Sequence, residues 1–119
     1  IKPLPKDLFV KITILKSMMY CGVLWGLYQQ GWAMMREQDE YIFPFWLSHS
    51  HATQYAQQHW PNYVPKKITP ENFESALMPT LTRLNVKPAI LYGNRKPLKL
   101  TIGQMRHFFF SAQRLHFAT

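Results

Sequence analysis

The chain has 119 residues, 47% of them hydrophobic and 17% charged, with a formal net charge of +8. That composition excludes a disordered chain, and the length suits one domain, residues 1–119, that buries about two-thirds of its unfolded surface. The one cysteine, Cys21, excludes an internal disulfide framework, and with no signal-like start the expected home is a reducing cytoplasm.

The first expected element is a helix from about Pro5 to Tyr20. Leu8, Ile12, Leu15 and Met19 fall on one stripe, Pro5 suits the first turn and Gly22 is placed to end it. Val23–Tyr28 and Trp32–Arg36 read as strands of a hairpin turning at Gln29-Gln30-Gly31. A third strand, Tyr41–Phe45, follows an acidic turn; Pro44 cannot donate to a ladder, which places this strand at an edge or ends it there. Ser48 is an N-cap for a helix reaching Trp60, with Ala52, Tyr55, Ala56 and His59 on one face.

Tyr63–Ile68 reads as a short strand. Thr69-Pro70-Glu71 is a helix start: a capping hydroxyl, a first-turn proline and an acid at the positive end of the dipole. Phe73, Leu77, Leu81 and Leu84 keep its period, and Pro79 is expected to kink or divide it. Lys87–Tyr92 and Leu98–Leu100 form a second hairpin, turning at Gly93-Asn94. Thr101-Ile102-Gly103-Gln104 matches a capping box that opens a helix to about His116, with Met105, Phe108, Phe109 and Ala112 as its apolar face. The expected class is α+β: a small, largely antiparallel sheet of five to six short strands packed against about four helices.

Ser17 to Met35 is uncharged for 19 residues, long enough to span a bilayer. However, Gln29-Gln30-Gly31 would put two amides and a turn signal in hydrocarbon, so no membrane span is expected.

Trp25-Gly26-Leu27, Gly31-Trp32-Ala33, Pro44-x-Trp46-x-Ser48, Ala52 and Trp60 resemble the core pattern of an uncharacterised bacterial family, domain of unknown function 2750. The run Ile68…Phe73…Leu77-x-Pro79-x-Leu81 is similar to that family's third helix, and the resemblance covers roughly residues 9–100. It implies a small α+β bacterial protein, and it carries over no activity and no functional residues. The end of the chain departs from the pattern. Arg106-His107-Phe108-Phe109-Phe110 and Arg114-Leu115-His116-Phe117 stand where a more acidic helix is expected.

Residues that could do chemistry are present but not arranged for it. His49 and His51 point apart on a helix and His59 stands two turns from His51, so no metal site is expected without a third convergent ligand. Cys21 lies among Met19, Val23 and Leu24 and reads as a buried structural thiol. Glu37, Asp39 and Glu40 read as a solvated acidic turn, and the scattered glycines form no phosphate loop. No catalytic residue and no cofactor are expected. The four tryptophans, all between Val23 and Trp60, fit core packing better than a base-stacking platform.

Charge is uneven along the chain. Residues 1–60 carry a net +1 and residues 61–119 a net +7, and no carboxylate side chain follows Glu74. Arg95, Lys96, Lys99, Arg106, Phe110 and Arg114 form the candidate binding set. Three consecutive phenylalanines, Phe108 to Phe110, cannot all face one core on a helix, so Phe110 is expected to be exposed or to meet another surface. The first functional reading is a non-catalytic protein-interaction module that binds an acidic protein or itself as a homodimer. A sequence-independent nucleic-acid binder comes second, and an enzyme of unrecognised type third.

Overall fold

The computed structural model describes residues 6–93 and 96–109. Helix α1 spans Lys6–Cys21, followed by strands β1 (Leu24–Tyr28), β2 (Met35–Glu37) and β3 (Glu40–Phe45). Helix α2 (His49–His59) and β4 (Val64–Ile68) come next. One long helical run is then divided into α3 (Pro70–Asn72), a π-helical turn (Phe73–Leu77) and α4 (Met78–Leu84). Strands β5 (Lys87–Ile90) and β6 (Leu98–Lys99) lead to helix α5, residues 102–109. The class is α+β, with strand pairing mostly antiparallel.

The strands form two sheets. β1 pairs with β4, and a four-stranded sheet runs β2-β3-β5-β6 with β3 and β5 parallel. Trp25 and Trp46 join the two: each backbone N–H donates to the other's carbonyl, at 2.9 and 2.8 Å. Strand alternation then builds a core on each face of β3. Phe43 and Phe45 enter a core with Leu15, Met18, Leu24, Phe73, Leu81, Met105 and Phe109. Ile42 and Trp46 enter a second, closed by Ala52 and Ala56 of α2. A strand covered on both faces reads as a continuous apolar run, which is how Ile42 to Trp46 reads.

Trp32 is the second connection between the sheets. The chain does reverse at Gln29-Gln30-Gly31, but the expected hairpin is cut short: Tyr28 bridges Trp32 and the Ala33 N–H reaches the Leu27 carbonyl at 2.8 Å. β1 takes β4 as its ladder partner instead. The indole of Trp32 lies over Gly26, and its other neighbours are Phe43, edge-on at 5.5 Å, and Tyr28 at 5.4 Å. The Lys66 ammonium stands 4.0 Å from the Tyr28 ring and 5.2 Å from that of Trp32. The actual hairpin is β2–β3, where Glu37 opposes Glu40 across Gln38-Asp39.

Three other expectations change. β3 is interior, not an edge, because Pro44 occupies a gap. The Phe45 carbonyl accepts from Leu91 N–H on the β5 side, so alternation turns the Pro44 nitrogen the other way. There β2 has already ended opposite Ile42, and the Trp25 bridge begins only at Trp46. In α1 the buried residues are Leu15 and Met18, whereas Leu8 and Ile12 are exposed. Leu15 and Met18 enter the core that holds Leu24, Phe43 and Phe45, so among the described residues burial is confined to the C-terminal half of the helix. Leu84 is also exposed: Asn85 turns left-handed at φ +55° and Val86 takes the inward place.

The uncharged stretch from Ser17 to Met35 is divided between the end of α1, β1 and the start of β2. Among the described residues, no helix is long and apolar enough to cross a membrane.

A Cβ built on Gly26 lies 2.7 Å from Trp32 Cζ3 and 3.2 Å from Ile68 Cδ1, and Phe43 and Tyr28 hem the indole in. Gly26→Ala is therefore expected to destabilise the fold by about 1–3 kcal/mol, read as a lowered urea midpoint. An unchanged midpoint would show that Trp32 moves aside freely.

Candidate functional site

Helix α5 starts at a reciprocal cap. The Gln104 N–H donates to Thr101 Oγ1 at 3.1 Å, and the Thr101 N–H donates to Gln104 Oε1 at 3.0 Å. This fixes the direction in which α5 leaves the β5–β6 hairpin and sets Ile102, Met105 and Arg106 along one wall. The facing wall is the divided helix. Thr69 Oγ1 accepts from the Asn72 N–H at 3.2 Å to start it. Pro79 has no N–H to give, and the preceding Met78 N–H reaches back five residues to the Phe73 carbonyl. The π turn inserts a residue ahead of Pro79, so the helix continues through α4 instead of breaking.

Between these walls lies a cavity of about 360 Å³. Its buried apolar lining includes Phe73, Leu81, Leu100 and Met105, and Asn85, Lys87 and Lys99 stand at one part of the rim. It adjoins a shallower depression lined by Glu74, Pro79, Arg83 and Arg106, and the two share Met78, Thr82 and Ile102. Together they make one groove with an apolar floor, an ammonium end and a guanidinium end.

The two ends differ in charge. Glu40 accepts from Lys99 at 2.7 Å and from Lys87 at 3.3 Å. Glu37 Oε2 lies 3.8 Å from the Lys99 ammonium, is closed to solvent and has no hydrogen bond. Two ammonium groups thus face two carboxylates. The hydrogen bonds from Lys99 and Lys87 hold the Glu40 carboxyl below its usual range, and Glu40 in turn holds Lys99 above the usual lysine range. The acidic turn is therefore a docking point for two lysines of the hairpin region and not only a solvated loop. Arg83 and Arg106 make no ion pair with a described residue, so the guanidinium end, with Glu74, keeps a positive excess.

The candidate binding set is only partly gathered here. Lys99 lines the cavity and Arg106 lines the adjoining depression, while Lys96 is exposed and lines neither. Arg95, Phe110 and Arg114 lie outside the described residues. Thr82, Arg83 and Lys87 belong to the groove and were not singled out by sequence. Ile102 carried a signal of its own, an apolar residue in the first turn of a capped helix, and it is 39% exposed.

Other chemistry-bearing side chains are engaged in packing. His49 meets Trp25 edge-on at 4.9 Å, and His59 stands 4.4 Å from Tyr55, at the rim of the α2 face. Among the described residues, no group of three or more His, Cys, Asp or Glu side chains is placed to hold a metal ion. Cys21 is half-buried, donates to the Leu47 carbonyl at 3.3 Å, and its thiol is pushed up by burial, away from the nucleophilic thiolate.

A family model described as protein of unknown function (DUF2750) matches residues 13–102. The chain belongs to this family. The match spans every strand and ends at Ile102, the first residue of α5, so this DUF2750 protein carries the groove's facing wall inside the family region. Met105 and Arg106 lie beyond it. A search of the curated proteins finds no match for this DUF2750 chain.

The ion cluster gives this protein a defined pH window. Glu40, with its value lowered by folding, stabilises the fold above the ordinary carboxylate range, and that stability is lost as pH falls through the lowered value. Lys99, with its value raised, stabilises below the ordinary lysine range, and that is lost as pH rises through the raised value. Glu40→Gln should therefore lower the urea midpoint at neutral pH and converge with wild type at acid pH. Parallel curves across the whole range would contradict this pairing.

Proposed function

We propose that the protein is a non-catalytic protein-interaction module, a single α+β domain, whose docking surface is the groove between α4, α5 and the β5–β6 hairpin. The observation that carries this reading is the continuity of an apolar cavity with an arginine-bearing depression through Met78, Thr82 and Ile102. A desolvated apolar centre with a charged rim is the anatomy of a protein interface. The cavity's ionisable side chains are Lys87 and Lys99, and Lys99 is held in its charged form. Lys99 is therefore not poised to exchange a proton near neutrality, which favours binding over acid–base chemistry.

An acidic partner suits this surface better than a second copy of the chain, because two chains of +8 repel as they approach. Nucleic acid suits it less well. Of the basic residues in the second half, Lys66 is committed to Tyr28 and Trp32, and Lys87 and Lys99 to Glu40. A phosphate-tracking surface needs free cations in a row. The half-buried free thiol of Cys21 accords with a reducing bacterial cytoplasm.

Thr82 is exposed and touches both parts of the groove, so Thr82→Trp should plug it without disturbing the core. Peptides selected from a random phage-displayed library on the wild-type chain are expected to bind in fluorescence anisotropy. Their affinity for Thr82→Trp is expected to be at least tenfold weaker. Peptides that bind both proteins equally, or a selection with no enrichment, would refute the docking surface.

A further inference from the structure

Resting on that docking reading, we propose that the occupant is a short amphipathic segment of an acidic partner, bound in one orientation. One or two bulky apolar side chains fill the cavity, and adjoining carboxylates lie against Arg83 and Arg106. The lysine end takes no part in capturing charge.

Three observations fix this chemistry. The volume of about 360 Å³ lies within the ligand-sized range of roughly 300–1,000 Å³, and its buried lining of Phe73, Leu81, Leu100 and Met105 offers no partner to a polar group. Met78 and Met105 are unbranched and polarisable, so the walls can adjust to aromatic or aliphatic anchors. The third observation is the charge difference between the ends. At the lysine end Glu37 and Glu40 already answer Lys87 and Lys99, and an incoming carboxylate would meet two others. At the other end Arg83 and Arg106 face one carboxylate, Glu74, and make no ion pair with a described residue. Guanidinium groups bind carboxylates through paired N–H donors, which favours them as the recognition groups for an acidic segment.

The probe is the tightest peptide from the phage selection, synthesised with a fluorescein label and read by anisotropy at physiological salt. Its sequence should place Asp or Glu beside a large apolar residue. The double variant Arg83→Glu/Arg106→Glu should weaken binding at least tenfold, and Lys87→Gln should weaken it by a smaller factor. The same peptide with its carboxylates converted to amides should lose a similar factor on the wild-type chain. Both arginines are exposed, and if the double reversal impairs folding, Arg83→Gln and Arg106→Gln give the same ordering with smaller losses. A peptide blocked by Thr82→Trp but indifferent to both arginines would overturn this orientation while leaving the docking surface in place. A loss on Lys87→Gln equal to that at the arginines would also overturn it. A peptide untouched by Thr82→Trp would remove the docking reading itself.

Discussion

The fold depends on a single close approach, the indole of Trp32 lying on the bare backbone of Gly26. A two-stranded sheet is marginal alone in water, and β1–β4 is such a sheet. Its stability has to come from the larger sheet beside it. Trp32 provides this by touching Gly26 on β1, Phe43 on β3 and the Lys66 side chain on β4. The paired hydrogen bonds between Trp25 and Trp46 fix the register of that contact. With both links made, β3 has neighbours along its whole length, and Pro44 sits at the point where no donor is required. The two cores then share one strand and form together.

The groove arises from the course of the chain after β4. Thr69 starts the divided helix, the π turn accommodates Pro79, and the left-handed Asn85 sends the chain into β5. The Thr101–Gln104 box then starts α5 at a defined angle. Each of these is a local backbone device, and together they hold two helices far enough apart to leave an apolar-lined cavity between them. The ion cluster of Glu37, Glu40, Lys87 and Lys99 ties the β2–β3 turn to the hairpin and closes one end. Surface pairs of this kind contribute little to stability individually. Their consequence here is the distribution of charge, which leaves the arginine end with the excess.

Local signals were legible in the sequence, and pairings across the chain were not. Ser48, Thr69 and Thr101 cap helices where their side chains and spacing indicate, because a cap involves only residues two or three apart. The antiparallel pairing of β5 with β6 was legible because the two runs follow each other across a short connection, while Asn94 of the expected Gly93-Asn94 turn lies outside the described residues. The partner of β1 was not, since a turn at Gly31 suits a hairpin and nothing local announces that Trp32 is needed over Gly26. Pro44 suggested an edge because a missing donor says nothing about which side of the strand it faces. The apolar period of α1 is continuous from Leu8 to Met19, yet which of its turns meet the core is set by other segments. In the groove, Lys99 and Arg106 stood out by charge, whereas Thr82 and Arg83 gain their meaning only from the wall opposite.

Native-state hydrogen exchange followed residue by residue tests the central claim most directly. If Trp32 on Gly26 and the Trp25–Trp46 bridge make the two sheets one cooperative unit, the Trp25 and Trp46 amides should exchange with the same opening free energy as the Leu91 and Leu100 amides. All four should shift together as denaturant is added. If the Trp25 and Trp46 amides open well below the global free energy while Leu91 and Leu100 stay protected, the β1–β4 sheet separates on its own and the account is wrong.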